Sequence, residues 1–203
     1  MAFQVPADPR ERLRLVIDAS WEILMTQIVS GRLTINKEAS LQLHLASIIR
    51  ELGEVMCVLP RETFSIELES SISGMEVDIT CAIGGEKAAI ELKCFRKLSN
   101  RAKDVDMYEV LYDIKRLQSL SAFSVRKFLC LADHNYYAHG IHKGHAESVS
   151  IKDGKVYPAN TPIHPSWLGK WKCYANHDVI TFKQDVAITW VTRENWYFLS
   201  LDV

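Results

Sequence analysis

No apolar run in this sequence is long enough to span a bilayer, and the opening MAFQVPADPRERLR lacks the apolar core of a secretory signal. The reading is therefore of a cytoplasmic chain with no membrane partner. Paired cysteine motifs are also missing. Cys57, Cys81, Cys94, Cys130 and Cys173 are odd in number, widely spaced, and mostly set in apolar segments without any CxxC. That pattern argues against a disulfide framework or a paired-cysteine zinc site and for reduced thiols in the core. A basic excess is absent too: 24 Lys and Arg stand against 25 Asp and Glu, a net charge of −1, so the chain as a whole is not adapted to a polyanion. Repeats and low-complexity tracts do not occur. What remains is a chain of 203 residues, 48% hydrophobic and 24% charged, which is enough to bury a sizeable core in one domain.

The densest information lies in GMEVDITCAIGGEKAAIELKCF, from Gly74 to Phe95. Gly84-Gly85 between two alternating segments is a strong two-residue hairpin signal. With those glycines as the loop, Ile83 faces Glu86, and counting five positions away from the turn on each strand sets Asp78 opposite Glu91. Alternation puts Met75, Val77, Ile79, Cys81 and Ile83 on one face with Ala88, Ile90, Leu92 and Cys94. Glu76, Asp78, Thr80, Lys87, Ala89, Glu91 and Lys93 fall on the other. Two like charges directly opposed on a sheet are destabilising. Two readings remain open: a solvated face on which Lys93 and Lys87 neutralise the acids, or a site where paired carboxylates hold a hard divalent cation such as magnesium.

Helical periodicity runs from about Pro9 to Ser30, with Leu13, Val16, Ile17, Trp21, Leu24 and Ile28 as its stripe, and again from about Asn36 to Met56. In the second helix, with Leu41 as zero, Leu45, Ile48, Ile49, Leu52, Val55 and Met56 span roughly −40° to +80°, and Glu38 falls near +60°. An acid thus sits within the apolar stripe, while Glu51 lies at its edge. Alternatively, Asn36 caps the helix and Glu38 only complements its positive end. A strand candidate from Thr63 to Ser71 precedes the hairpin; a helix from about Asp104 to Ser121 and an apolar strand, Lys127 to Ala132, follow it.

Asp78, a short turn, then Glu91-x-Lys93 on the next strand, within helix, three strands, helix and strand, resembles the PD-(D/E)XK nuclease superfamily with its restriction-endonuclease-like fold. The finer pattern is similar to uncharacterised bacterial members: Glu38-Ala-Ser-Leu-Gln-Leu-His-Leu, Tyr112-Asp113-Ile-Lys115-Arg116-Leu-Gln118, and Leu-Ala-Asp133-His-Asn-Tyr136. Val77, where the motif name has proline, is a departure. The resemblance implies an α/β fold: a core at residues 36–132 (helix, three-stranded antiparallel meander, helix, strand), preceded by a helical extension at 1–35. An irregular insertion at 133–178 and closing β-strands at 179–203 complete the expected single domain.

The same resemblance implies a metal-dependent nuclease, with Asp78, Glu91 and Glu38 binding magnesium or manganese and Lys93 acting beside them. Glu51 is the reserve for Glu38. Its partner would be nucleic acid, DNA before RNA, in bacterial defence or a mobile element. The alternative is a nuclease-fold binding or assembly module without turnover, including an immunity or antitoxin-like partner; a homodimer is open in either case.

Phosphate contacts are expected from Arg96, Lys97, Arg101 and Lys103, which with Lys93 form a basic run containing no acid. A solvated loop is the plainer reading of that run. Lys115, Arg116 and Gln118 on the following helix are further candidates, since related nucleases often place a polar residue there. The Gly- and Pro-rich stretch from Asp133 to Asp178 holds His134, His139, His142 and His145. Their spacing matches no closed zinc motif, so they read as solvated loop histidines, with a proton-sensitive phosphate contact as the functional reading.

Overall fold

The computed structural model describes residues 5–72, 74–99, 101–167 and 178–203. The protein is α/β. Its elements are helices α1 (Pro9–Val29) and α2 (Glu38–Val55), strands β1 (Phe64–Ile72), β2 (Met75–Ile83) and β3 (Glu86–Phe95), helix α3 (Lys103–Ser119) and strand β4 (Val125–Ala132). The short helices α4 (Tyr136–His139) and α5 (His145–Ser148) follow, then strands β5 (Val156–Tyr157), β6 (Val186–Ala187), β7 (Trp190–Arg193) and β8 (Trp196–Asp202). Six strands pair in the order β1-β2-β3-β4-β8-β7, and β5 pairs with β6. Among the described residues no helix is long and apolar enough to cross a membrane.

The chain packs as two compact units. The first holds residues up to Cys94 together with Leu120–Lys127 and Asp202. Asp8 starts α1 by accepting from the Arg10 N–H at 2.9 Å, with Pro9 at the first helical position, where its missing N–H has no cost. The stripe read from the sequence, Leu13, Val16, Ile17, Trp21, Leu24 and Ile28, is buried. Arg12 is buried with it, at 0% exposure, and its guanidinium forks onto Glu62 with both bonds at 2.7 Å while donating to the Met56 carbonyl at 2.9 Å.

Helix α2 buries Leu41, Gln42, Leu45 and Ile49 and ends near Gly53, whose Cα faces the Phe64 ring. A Cβ built at Gly53 would meet that ring at 2.5 Å. Alanine in place of a helical glycine ordinarily stabilises by about 1 kcal/mol. Here the sign should invert. Gly53→Ala is expected to lose about 1–3 kcal/mol through overpacking, to be read as a lower denaturant midpoint; a higher midpoint would mean that Phe64 moves aside freely.

The β2–β3 hairpin turns at Gly84 and Gly85, with φ of 57° and 88°, the double positive φ that a two-residue turn of this hand demands. Its register is the one read from the sequence, running from Ile83↔Glu86 to Ile79↔Ile90. β1 lies antiparallel on the other side of β2, with Leu68↔Ile79 and Ser70↔Val77 bracketing Glu69 and Asp78.

The second unit holds Phe95–Ser119, Phe128–Leu201 and Val203. At its centre Tyr137, fully buried, stacks on Phe95 with ring centroids 4.2 Å apart and donates to the Asp106 carboxylate at 2.5 Å. The region read as an irregular insertion carries α4, α5 and β5, and Cys173 and part of that region lie outside the described residues. The other four cysteines are free thiols. Burial pushes the Cys81 thiol up to about 12.

Two of the four loop histidines, His134 and His142, differ from the solvated picture, while His139 and His145 are exposed. His142 is half-buried: Nε2 lies 2.8 Å from the Tyr136 carbonyl, so it carries the proton, and Nδ1 accepts from the Ser150 hydroxyl at 2.5 Å. Burial holds its pKa below the usual imidazole value. The unfolded chain takes up a proton there below about pH 6.5 while the folded chain resists it. The contribution of His142 is therefore complete above that pH and declines as pH falls toward the folded pKa. Thermal melts between pH 7.5 and 5 should show the wild-type protein losing stability on acidification, with a shallower slope in His142→Gln. An equal slope in both would remove His142 from this account.

Candidate active site

The acidic groups read from the hairpin converge on one short stretch of β3. In the observed register the Leu92 and Cys94 N–H groups point toward β2. Each of them meets a carboxylate. Asp78 Oδ2 accepts from the Leu92 N–H at 2.6 Å, and Glu38 Oε2, arriving from the first turn of α2, accepts from the Cys94 N–H at 3.2 Å. Lys93 lies between the two amides, part-exposed, and Glu91 immediately before them is only 4% exposed.

Alternation along β3 turns Glu91 and Lys93 to the face of Ala89, and alternation along β2 turns Asp78 to the face of Thr80, the partner of Ala89; the ladder itself ends one pair short of Asp78 and Glu91, at Ile79↔Ile90. The neighbouring Ala89 is fully buried. At Ala89 and Glu91 this face is therefore not the solvated surface that the ion-pair reading assumes, although Glu76 and Lys87, nearer its ends, are exposed.

Glu38 does more than complement the helix dipole, because its carboxylate reaches a strand amide far along the chain. Nor does Asn36 cap α2. Lys37 occupies the cap position, and the Ser40 hydroxyl takes the Asn36 and Lys37 N–H groups at 3.1 and 3.2 Å. Among the described residues no three His, Cys, Asp or Glu side chains group as a metal-holding cluster, and Glu38 makes its contact to the Cys94 amide. Its position is that of a brace on β3.

One residue of this site escaped the sequence reading. Gln42, one turn beyond Glu38 and about 40° from it around the helix, is 8% exposed and sends Nε2 to the Asp78 carbonyl at 2.8 Å and to Glu69 Oε1 at 2.7 Å. The signal available was its spacing of four from Glu38, which places both on one helix face. Two residues along β2 from Asp78, Thr80 shares a hydrogen bond of 2.9 Å with Ser70 of β1.

The basic candidates lie in the second unit, and most are engaged there. Arg96 Nε pairs with Asp133 at 2.9 Å, with its guanidinium carbon 5.3 Å from the Trp196 ring centroid. Lys97 gives its backbone N–H to the other Asp133 oxygen while its side chain is exposed. Arg101 bridges Asp106 at 3.2 Å and Glu109 at 2.5 Å. Lys103 Nζ lies 3.4 Å from His134 Nε2 and 5.1 Å from the Tyr137 ring centroid. Burial first, and the Lys103 charge second, hold the His134 pKa below its usual value.

On α3, Arg116 pairs with Asp113 at 2.9 Å, and Lys115 donates to the Val179 carbonyl at 3.4 Å. Gln118, 5% exposed, accepts from the Lys183 N–H at 2.6 Å and donates to the Gln184 carbonyl at 3.4 Å, so it holds a loop. The run from Lys93 to Lys103 contains no acid of its own, but Asp133, Asp106 and Glu109 supply the counter-charge from elsewhere in the chain. Arginines already held by carboxylates are less ready to meet phosphate than the bare charge run implied.

Neither a protein-family model, a curated protein nor a solved structure matches this chain.

Proposed function

We propose that this protein is a metal-dependent nuclease, built on a restriction-endonuclease-like core, that hydrolyses phosphodiester bonds of nucleic acid. The observation that carries the reading is the placement of Asp78 on the Leu92 amide beside buried Glu91, with Lys93 next along the strand. Carboxylate oxygens are hard donors, and magnesium commonly takes one or two of them and completes its shell with water and substrate phosphate. Asp78 and Glu91 fit that requirement without a third acid. A carboxylate has about four acceptor positions, so accepting from the Leu92 N–H is compatible with Asp78 also binding an ion. Magnesium or manganese held there would lower the pKa of a water and draw charge from a phosphoryl oxygen.

The protein's own groups do the rest. Asp78 and Glu91 supply the negative charge that selects a divalent cation. Lys93 presents an ammonium on the same face, where it stabilises charge that grows on the phosphate during displacement. The part assigned to Lys93 is electrostatic rather than that of a free base. Glu38 holds β3 at Cys94 and keeps the strand from drifting.

A binding or assembly module without turnover is the second reading. The internal pairing of Arg96, Arg101 and Arg116, together with a net charge of −1, favours it. An assay with magnesium or manganese over single-stranded, duplex and branched DNA and RNA distinguishes the two. Cleavage of at least one substrate that is lost in Glu91→Gln supports the nuclease, whereas silence on every substrate supports the module.

A further inference from the structure

Glu69 is in the left-handed region, with φ of 52°, in the middle of β1. An extended strand has no use for that conformation, and glutamate has no intrinsic preference for it; glycine or asparagine would take it more readily. Strain of this kind persists where surrounding contacts demand it, and it gathers at functional sites. The contact present is with Gln42. The amide nitrogen of Gln42 carries two hydrogens, and both are directed to groups that can only accept: the Glu69 carboxylate at 2.7 Å and the Asp78 carbonyl at 2.8 Å. A flipped amide would set its oxygen against two oxygens, so the orientation of Gln42 is determined. Gln42 thus holds Asp78 at its carbonyl, while the Leu92 N–H holds its carboxylate.

We propose that Gln42 is a positioning residue for Asp78 and that Glu69 holds Gln42 in its working orientation, so that the strained turn of β1 aims the carboxylate assigned to the metal. The proposal rests on the nuclease reading for its purpose but not for its geometry. Released from Gln42, the Asp78 peptide can rotate and its carboxylate leaves the Leu92 amide. Partners of this outer kind typically change metal affinity by about 10–100-fold.

Three variants of the full chain test it. Gln42→Met keeps the size and removes both donors. Glu69→Gly removes the carboxylate and relaxes the backbone. Glu69→Gln retains an acceptor oxygen and serves as the conservative rescue. Amide hydrogen exchange, followed by NMR, is read at Leu92, with the Cys94 amide, held separately by Glu38, as the internal reference. Gln42→Met and Glu69→Gly should speed exchange at Leu92 by roughly tenfold, leave Cys94 unchanged, and weaken manganese binding by about tenfold or more. Glu69→Gln should stay near wild type. The melting temperature of Glu69→Gly should fall less than that of Gln42→Met, because the freedom of glycine in the left-handed conformation offsets part of the lost hydrogen bond.

Unchanged exchange at Leu92 in both disrupting variants would overturn the proposal, as would equal acceleration at Leu92 and Cys94, which signals general loosening. A wild-type protein that binds no manganese and cleaves nothing would defeat the nuclease reading alone, with Leu92 still deciding the relay.

Discussion

Asp78→Ala is expected to lower divalent-metal-dependent cleavage by roughly a hundredfold or more, the scale seen when a preorganised charge at a reacting centre is removed. The same substitution should also remove most of the thermal stabilisation that metal confers. A cation that binds only the folded arrangement adds about 2.7 kcal/mol at a hundredfold excess over its dissociation constant. Alanine and asparagine should part company without metal. Asp78 accepts from the Leu92 N–H at 2.6 Å, so alanine deprives that amide of its acceptor, with a loss of about 1.5–3 kcal/mol for a hydrogen bond to a charged group. Asparagine keeps an oxygen for Leu92 and removes one of the two negative charges that alternation places on this face. The apo Asp78→Asn protein should therefore melt close to wild type, and magnesium should no longer raise its melting temperature. Should wild type prove insensitive to magnesium while Asp78→Asn is destabilised, Asp78 is a partner in a structural ion pair and not a metal ligand. Undiminished cleavage by Asp78→Ala would equally remove it from the site.

The largest effect on stability alone should come from Arg12. Its guanidinium is fully buried, forks onto Glu62 and donates to the Met56 carbonyl. Removing one member of a buried ion pair costs about 3–5 kcal/mol, because the other charge is left in a medium that does not solvate it. Arg12→Leu should therefore shift the denaturant midpoint of the first unit sharply downward. Acidification acts on the same pair. The Arg12 guanidinium, hydrogen-bonded to Glu62, holds the Glu62 pKa below the usual carboxylate range. The stability from this pair is present above the unfolded glutamate pKa and is lost as pH falls through the lower folded value. In Arg12→Leu that acid-sensitive component should shrink, leaving what the Val58 and Leu59 N–H groups contribute at 3.0 and 3.2 Å, and persistence of the full wild-type acid dependence would show that other carboxylates control it.

Short-range features of this fold are legible in the amino-acid sequence alone. Two glycines in a hairpin turn, period-two alternation on both sides, and the helical stripe of Leu13 to Ile28 depend on neighbours a few residues apart, and each appears where its pattern places it. Charges inside apolar stripes are harder to interpret. Arg12 lies among the buried residues of α1 only because Glu62, fifty residues later, neutralises it. A helical wheel can place such a residue on a face, but it cannot supply the partner that makes its burial tolerable.

Local conformation and the pairing of β2 with β3 are thus written in the order of the residues, because turn chemistry and side-chain alternation act through adjacent positions. That register also puts Asp78, Glu91 and Lys93 on one side of the hairpin. Which groups those charges meet is settled by the packing of segments far apart in the chain. Glu38 reaches Cys94, Gln42 holds Asp78 against Glu69, and Asp133 and Asp106 meet the arginines of the basic run, mostly through bonds between residues distant in sequence. A hydrogen bond depends on distances of a few tenths of an ångström and on direction. Those are properties of the packed chain, which no periodicity in the sequence encodes.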